Sequence, residues 1–165
     1  MSAASLASVC TQVRATGATC DRVQYAELQT AITSRLTPPA VATPSSLLGD
    51  ILQGTSIRVD PTGQELREAN TGITTARAIV AETGSVVLTD HSAGGGLVSV
   101  FVEHHIVVAP ASSVVDTVRE GLAVVSECGG SGIIATGPSA TADMGELVHG
   151  AHGPETVHVI VVEDR

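Results

Sequence analysis

Apolar residues recur along the first half of this chain partly at helical spacing and partly in short runs. Residues 3–12 and 25–36 have helical spacing, and in the second segment Tyr25, Leu28, Ile32 and Leu36 form one apolar stripe. Thr37, Pro38 and Pro39 end that helix. The pattern then predicts, in order, a strand in AVATP, a helix over residues 44–52, a strand in SIRVD and a helix in QELREAN.

Buried strands are predicted for much of the second half. Residues 73–81 and 85–88 are rich in β-branched residues and read as neighbouring strands. The run HHIVVAP ends at Pro110, as expected for a strand covered on both faces. A helix through Val114 and Leu122, capped by Ser113 and Asp116, follows it. A strand in GIIAT, a helix around TADMGELVHG and a last strand in TVHVIVVED then predict a right-handed parallel β-α-β unit.

This alternation predicts an α/β fold, formed as a single three-layer domain over residues 1–165 with a mostly parallel sheet. The length suffices for one hydrophobic core but not for two ordinary domains. Only Tyr25 and Phe101 are aromatic, so the core must consist of Val, Ile, Leu and Ala. Such a core suits helices packed on a buried sheet.

The charged residues exclude several functions. All 8 basic residues are arginine, and against 17 acidic residues they give a net charge of -9. The absence of lysine excludes a Walker-type phosphate loop, a Schiff-base lysine and a Ser-Lys dyad. The acidity disfavours nucleic-acid binding, because no continuous basic face can follow a phosphate backbone. An acidic, lysine-free composition suits a salt-rich cytoplasm, and a GC-rich genome would favour arginine equally.

The N-terminal segment and the thiols favour a cytoplasmic protein. MSAASLASVC has no positive charge ahead of its apolar stretch, and no run of about 18 apolar residues predicts a membrane span. Cys10, Cys20 and Cys128 are odd in number and form no C-x-x-C pair. We therefore expect three reduced cysteines, with no disulfide framework and no zinc or iron-sulfur site in this chain.

The segment GPSATADMG is the first candidate site. An apolar strand ends before it, Gly137 and Pro138 form a tight turn, and Ser139 or Thr141 can cap the predicted helix. The carboxyl end of a strand would then face the N–H groups of a helix N-terminus, which bind phosphate or carboxylate. The alternative is ordinary capping without a ligand. Asp143, in the first turn of that helix, would itself satisfy these donors and repel an anion.

Glu82, in AETGS, is the second candidate. It lies between two apolar strands, where partial burial would raise its pKa and suit the carboxylate to acid-base or nucleophilic work. The alternative is a carboxylate that accepts hydrogen bonds from neighbouring backbone N–H groups in a turn. Spacing alone favours the alternative.

Histidines offer a weaker candidate site. His105, His149 and His152 could be combined as a three-histidine metal site, but their spacing does not require it and H-E-x-x-H is absent. A histidine on a strand is more often a hydrogen-bonded core residue. The motifs G-x-S-x-G and G-x-G-x-x-G are also absent, which removes the usual signatures of a hydrolase and of a dinucleotide-binding domain.

Three segments together resemble a known family. They read GITTARAIVAETGSVVL, FVEHHIVVA and ATGPSATADMGELVHGAHGPETVHVIVVED. The LUD domain of the lactate utilization protein C family reads approximately AETGT(L/V)VL, then P..HI.VV, then GPSRTADIE..LV.GVHGP..LHV. The resemblance is specific over residues 72–165 and loose before them. It implies a fold like that of the ribose-5-phosphate isomerase, glucosamine-phosphate deaminase and CoA-transferase group.

The resemblance also implies a role in oxidising L-lactate to pyruvate beside iron-sulfur proteins, so the clusters are expected in partners and no cofactor in this chain. Where the family has Arg after GPS this chain has Ala140, and the acidic residue after TADI has moved to Glu146 behind Gly145. Losing that Arg leaves an anion to backbone donors. The matching positions imply Glu82 as the catalytic candidate and, as ligand-binding candidates, Thr83, Gly84, His105, Gly137, Pro138, Ser139, Thr141, Ala142, Asp143, His152 and Gly153, with Pro154 and His158 also matching.

Three functions stay open on the sequence. The first is a LUD-domain subunit or accessory protein of lactate or organic-acid oxidation, with a small anion at the GPSATAD turn. The second is an acyl or CoA transferase-like enzyme, since AETG resembles the S-E-N-G segment that supplies the glutamate in related transferases. The third is a non-catalytic module for a small phosphorylated or carboxylated metabolite. All three require the turn after Thr136 to open beside Glu82 in one shared pocket.

Overall fold

The computed structural model describes residues 3–89, 95–128, 131–143 and 146–165. Its helices are α1 (Ala3–Ala15), α2 (Leu28–Thr33), α3 (Gly63–Glu68), α4 (Gly95–Phe101) and α5 (Val118–Glu127), with 3₁₀ turns at Tyr25–Glu27 and Ala111–Ser113. Its strands are β1 (Thr19–Val23), β2 (Ala40–Ala42), β3 (Arg58–Val59), β4 (Thr71–Thr75), β5 (Ala78–Val80), β6 (Ser85–Thr89), β7 (His104–Pro110), β8 (Val114–Val115), β9 (Gly132–Ala135), β10 (Ala140–Asp143), β11 (Glu146–His149) and β12 (Thr156–Val162).

The larger sheet has six strands, all parallel, in the order β1-β12-β7-β4-β2-β3. At its centre β7 and β12 pair from His104 opposite Thr156 to Pro110 opposite Val162. Both strands are continuous apolar runs because each is covered on both faces. The α/β class with a mostly parallel sheet is therefore confirmed.

The two faces of this sheet pack against different layers. On one face, Ile106 and Ile160 pack with Leu28 and Ile32 of the α2 region. On the other face, side chains of β7 and β12 pack with α1 and with a second sheet, in a cluster that includes Val107, Val159, Val9, Val13, Ile79 and Val86. Alternation of side chains along each strand produces this division.

The second sheet has four strands in the order β8-β5-β6-β9, in which only the β5–β8 pair is parallel. The chain crosses into it between β4 and β5. The amide of Ala76 still donates to Val108 of β7, whereas the amide of Arg77 donates to Val87 of β6. The expectation of one strand over residues 73–81 is therefore wrong, because the segment belongs to two sheets.

The segment around TADMGELVHG is a hairpin and not the expected helix. β10 and β11 pair antiparallel, from Ala140 opposite His149 to Asp143 opposite Glu146, while Met144 and Gly145 lie outside the described residues. Met144, Leu147 and Val148 have helical spacing in the sequence, but Gly145 has low helix propensity, and pairing of β10 with β11 determines the structure of this segment. The expected β-α-β unit is also wrong, since β9 and β12 belong to different sheets.

The helix expected through Val114 begins later. Val114–Val115 is strand β8, and α5 starts behind Thr117, which replaces Ser113 and Asp116 as the cap. Thr117 Oγ1 accepts from the Glu120 amide at 3.3 Å, and the Glu120 carboxylate accepts from the Thr117 amide at 2.9 Å. Glutamate three residues after the cap is long enough to complete this reciprocal pair, which explains the shifted start.

Two helices expected in the first half are shorter or absent. The segment expected as a helix over residues 25–36 contains a 3₁₀ turn and only the short α2. Residues 46–54 form hydrogen-bonded turns in place of the helix expected over residues 44–52. Gly49 and Asp50 interrupt this segment, and both residue types have low helix propensity. No helix in the four described ranges is long and apolar enough to cross a bilayer.

The cysteines also differ from the expectation. Cys10 of α1 and Cys20 of β1 form a disulfide with a Cα–Cα distance of 5.5 Å, while Cys128 is free. The expectation of three reduced thiols is therefore wrong for the first two. Their spacing contains no motif, and only the return of β1 along α1 brings the two sulfur atoms together.

Candidate functional site

One cavity collects many of the residues that the sequence singles out, and we call it the motif cavity. It measures about 340 Å³ and lies between α4, the start of β7, the end of β9 and the turn before β12. Segments far apart in the sequence therefore meet in one place. Its lining comprises Ser99, Val100, His105, Ile133, Ala135, Thr136, Gly137, Pro138, Ser139, Ala140, His152, Gly153, Pro154 and Val157.

His105 is more deeply buried than Ser99, the other buried polar residue of the motif cavity lining. Its residue exposure is 2%, and its Nε2 lies 2.8 Å from Thr74 Oγ1. Burial lowers the pKa of His105 to about 4, so the imidazole is neutral at pH 7. It can exchange a hydrogen bond with a ligand but supplies no positive charge. Within the part of the chain that the structure describes, no three side chains are grouped to hold a metal ion.

The GPS turn does not offer the expected set of free amides. Pro138 has no N–H, and the amide of Ser139 donates to Pro154 O at 2.8 Å. Thr141 and Ala142 lie on β10, paired with Val148 and Leu147, and do not line the motif cavity. Asp143 ends the same strand. The anion site at a helix N-terminus is therefore wrong, because the turn leads into a strand whose N–H groups pair with β11.

Two predicted ligand-binding glycines instead contact the backbone at the end of α1. Gly84 and Gly137 have φ of +69° and +70°, which L side chains rarely adopt. A Cβ on Gly84 would lie 2.7 Å from backbone atoms of Gln12, and a Cβ on Gly137 would overlap Thr16 O. Close backbone packing accounts for both glycines without a ligand.

Glu82 lies outside the motif cavity. Its carboxylate is exposed, and Oε1 accepts from the amide of Val118 at 2.7 Å in the first turn of α5. The expectation of partial burial for Glu82 is therefore wrong, and the GPS turn lines the motif cavity without Glu82. A nucleophilic role for Glu82 stays a prediction.

A chain of hydroxyl groups connects the AETG turn to the GPS turn. Thr83 Oγ1 lies 2.7 Å from Ser85 Oγ, which in turn lies 2.7 Å from Thr136 Oγ1. Thr83 is thus linked through Ser85 to Thr136, which follows β9, and it is not part of the cavity lining. The two motifs are linked through hydrogen bonds and through their common contact with α1.

Sequence reasoning missed a second cavity, which we call the carboxyl-edge cleft. It measures about 410 Å³ and opens where β2, β4 and β7 end, the edge at which open α/β sheets bind ligands. Arg77 is the only charged residue in its described lining, is exposed, and forms no ion pair within the described residues. The lining comprises residues 43–47, 74–77, 88–89, Pro110 and Ser113.

Several hydroxyl-bearing residues share the lining of this cleft with Arg77. Ser45 Oγ accepts from Thr75 Oγ1 at 2.9 Å and from the amide of Leu47 at 3.2 Å, which leaves its own proton to donate. A guanidinium beside hydroxyl donors suits a carboxylate or a phosphate. A signal for this cleft exists in the sequence, because TPSS and Arg77 each follow a strand. It was overlooked because the pattern predicts that TPSS begins a helix and that Arg77 lies in the middle of a strand.

Comparison with known proteins finds consistent similarities. A family model described as LUD domain matches residues 24–162. Lactate utilization protein C of Bacillus licheniformis is 34% identical over 110 residues, which are 62% of this chain and 46% of the relative. Its counterpart in Deinococcus radiodurans is 39% identical over 105 residues, 59% of this chain and 49% of the relative. The chain thus spans about half the length of the curated relatives it matches.

A solved structure is similar over nearly the whole chain. The crystal structure of a DUF162 family protein from Deinococcus radiodurans superposes with a TM-score of 0.75 at 26% identity. The superposition covers 98% of this chain and 99% of the other.

Proposed function

Since this chain belongs to the LUD domain family, we propose that it is a subunit or accessory protein of a system that oxidises lactate or a related organic acid. Oxidation of a 2-hydroxy acid to a 2-oxo acid releases two electrons and two protons, so the system needs an electron acceptor. We propose iron-sulfur proteins as the partners that carry those electrons. The contribution of this chain is to bind the organic acid.

The carboxyl-edge cleft is the place we propose for the acid's carboxylate. The observation that carries this proposal is the guanidinium of Arg77, without an ion pair among the described residues, in a cleft otherwise lined by uncharged residues, many of them hydroxyl-bearing. A guanidinium binds a carboxylate through two parallel hydrogen bonds, and the Ser45 hydroxyl adds a donor for a second oxygen. A three-carbon acid fits easily within about 410 Å³.

The motif cavity is the alternative place for the ligand. It is favoured by the convergence of His105, Ser139 and His152 from separate motifs. No arginine lines it within the described residues, and His105 is neutral at pH 7. A ligand there would be held by neutral hydrogen bonds and apolar contacts, which suits the uncharged part of an organic acid better than its carboxylate.

Titration calorimetry with L-lactate and pyruvate tests the binding proposal. Replacing Arg77 by Gln should weaken binding at least about tenfold, since a charge-assisted bidentate pair is lost. Arg67→Gln, at an exposed position of α3, is the matched control and should bind as the unmodified protein does. Loss in Ser139→Ala with full binding in Arg77→Gln would place the acid in the motif cavity instead. Absence of binding by the unmodified protein at about 10 mM of either acid would reject carboxylate binding.

Native co-purification tests the proposed partners. A tagged chain expressed in its own cells during growth on L-lactate should elute with proteins that contain iron and acid-labile sulfide. Deletion of the gene should slow growth on lactate but not on glucose. A chain that never co-elutes with iron-sulfur proteins, and whose loss leaves growth on lactate unchanged, contradicts the proposal.

A further inference from the structure

Helix α4 is apolar on its outer face as well as on its inner face. Its sequence, GGLVSVF, contains no charged residue. Val98 and Val102 are buried on the inner face, while Leu97, Val100 and Phe101 are 47%, 41% and 57% exposed. These three exposed residues recur at helical spacing and form one stripe, which we call the α4 patch. A surface helix normally turns polar residues outward, and an exposed apolar stripe is typical of a contact surface.

The inner face of α4 is fixed by close packing. Val98 and Val102 belong to a buried cluster with Val41 and Leu66. A Cβ on Gly72 of β4 would lie 2.8 Å from Val98 O, because the helix lies so closely on the sheet. Rotation of α4 would bury the α4 patch only by exposing Val98 and Val102. The described part of the chain therefore offers no cover for the patch.

An acidic groove adjoins the α4 patch. It measures about 540 Å³ and lies between the end of α4 and the turn from β11 to β12, with Val100 and Phe101 in its lining. Glu103 and Glu155 also line it and are exposed, whereas the described lining contains no arginine. Neither carboxylate forms an ion pair within the described residues. The patch thus borders on two carboxylates that can pair with cations of another molecule.

These carboxylates disfavour a second copy of this chain as the cover for the α4 patch. In a symmetric dimer the same surface serves both copies, so Glu103 and Glu155 of each copy would lie in one interface. Like charges placed together in an interface oppose association, and each chain also carries a net charge of -9. A protein that presents basic side chains around an apolar one complements both the patch and the groove.

We propose that the α4 patch and its groove are the docking surface for a partner protein, which contacts the patch with an apolar side chain and pairs basic side chains with Glu103 and Glu155. The inference rests on the proposed function, in which the partner is an iron-sulfur protein, and it assigns the surface that this partner contacts. Binding of the organic acid at Arg77 does not involve this surface, because the groove and the carboxyl-edge cleft share no lining residue.

Substitutions on the helix surface test the apolar part of the docking site. The iron-sulfur protein that co-elutes with the tagged chain is purified, and its Kd for each variant is measured by biolayer interferometry. Leu97→Ser and Phe101→Ser should each raise the Kd at least about tenfold. Leu122→Ser is the matched control, because Leu122 is a 53% exposed leucine on α5, and its Kd should equal that of the unmodified chain. Equal Kd values for Leu97→Ser and Leu122→Ser would overturn the proposal.

Charge reversal tests the acidic part. Glu155→Arg should raise the Kd at least about tenfold, while Glu127→Arg, at an exposed position of α5, should change it much less. Equal effects of the two reversals would show that only net charge matters and would overturn the proposed pairing.

Carbodiimide coupling maps the contact directly, since it joins carboxylates to lysine and this chain contains no lysine. Coupling of Glu103 or Glu155 to a lysine of the partner supports the proposal, and coupling confined to other carboxylates of this chain overturns it. If no product forms, the comparison of Glu155→Arg with Glu127→Arg decides.

The outcomes separate this inference from the proposed function. If the unmodified chain co-elutes with no iron-sulfur protein, the proposed partners and the docking surface both fail. If co-elution persists undiminished in Leu97→Ser and Phe101→Ser, only the docking surface fails. Sedimentation velocity of the purified chain tests the other occupant, and a dimer that Leu97→Ser dissociates would assign the α4 patch to a second copy and overturn the proposal.

The variants change exposed side chains, so we expect each to keep the unfolding midpoint of the unmodified chain. Should Phe101→Ser fail to fold, Leu97→Ser and Glu155→Arg with their controls decide the test.

Discussion

At the scale of single residues, the motif glycines Gly84 and Gly137 are explained by the backbone of α1. Both adopt positive φ, and both lie so close to the end of that helix that a Cβ would collide with it. A motif glycine near an expected ligand site is usually explained by the space that its missing side chain leaves for the ligand. Here the space is filled by protein, and the same helix covers both turns.

Replacing Gly137 by Ala should therefore destabilise the protein by more than the backbone strain of its positive φ, because the added Cβ also collides with Thr16. Gly54→Ala is the matched control, because Gly54 has φ of +74° but an added Cβ there would meet nothing within 4 Å. We expect a loss of about 1 kcal/mol for Gly54→Ala and at least about 2 kcal/mol more for Gly137→Ala, measured by urea unfolding. Equal losses would show that contact with Thr16 is unimportant.

From the sequence, the motif residues could be named as candidates, and their ligand-binding role stays a prediction. His105, Ser139 and His152 were singled out from separate motifs, and they line one cavity. Arg77 was missed because its significance depends on the chain crossing between sheets after β4. No local pattern reports that crossing, since both strands beside it are apolar and β-branched.

At the scale of elements, α5 shows how a cap decides where a helix begins. The sequence offers Ser113 with Asp116 and, four residues later, Thr117 with Glu120. The second pair forms the full reciprocal cap, and the first lies in the 3₁₀ turn and loop ahead of it. Asp lacks the extra methylene that lets Glu reach back to the cap amide.

Thr117→Ala should consequently lower the free energy of unfolding by about 1 kcal/mol. Ser113→Ala should change it by less than about 0.5 kcal/mol, because the Ser113 hydroxyl only donates to Pro110 O in its own turn. Chemical unfolding of the two variants under identical conditions gives the comparison. A larger loss for Ser113→Ala would mean that the cap of α5 is not at Thr117.

Element prediction worked best for the strands buried on both faces. The runs HHIVVAP and TVHVIVVED correspond to β7 and β12. Consecutive apolar residues favour a strand covered on both faces, because a surface helix buries only one stripe of its residues. Element prediction failed for β10 and β11, because their residues have no strong preference for helix or strand and their structure depends on the strand they pair with. Pairing with the neighbouring strand decided that segment.

At the scale of the whole molecule, two buried neutral histidines link folding to pH. Burial lowers the pKa of His105 to about 4, and burial with the charge of Arg35 does the same for His158. Unfolded histidine titrates near 6.5, so between about pH 6.5 and 4 the unfolded chain binds more protons than the folded one. The stability contributed by these groups is complete above that range and is lost as the pH falls through it.

We expect the free energy of unfolding to fall by about 2 kcal/mol per buried histidine between pH 7 and pH 5. His105→Gln should reduce this pH-dependent loss even if it lowers stability at both pH values. His149→Gln, at the exposed end of β11, is the control and should show the full loss. Urea unfolding at both pH values measures the difference. An identical loss in His105→Gln would contradict the linkage.

The segment formed by α1 and β1 covers one edge of β12 in the larger sheet. The range matched by the family model starts at Gln24, directly after β1. A fragment starting there would lack the strand that pairs with β12 and would present a long apolar strand as a bare edge. The segment before Gln24 thus covers this edge of β12 through β1, and the Cys10–Cys20 disulfide ties α1 to β1 within that segment.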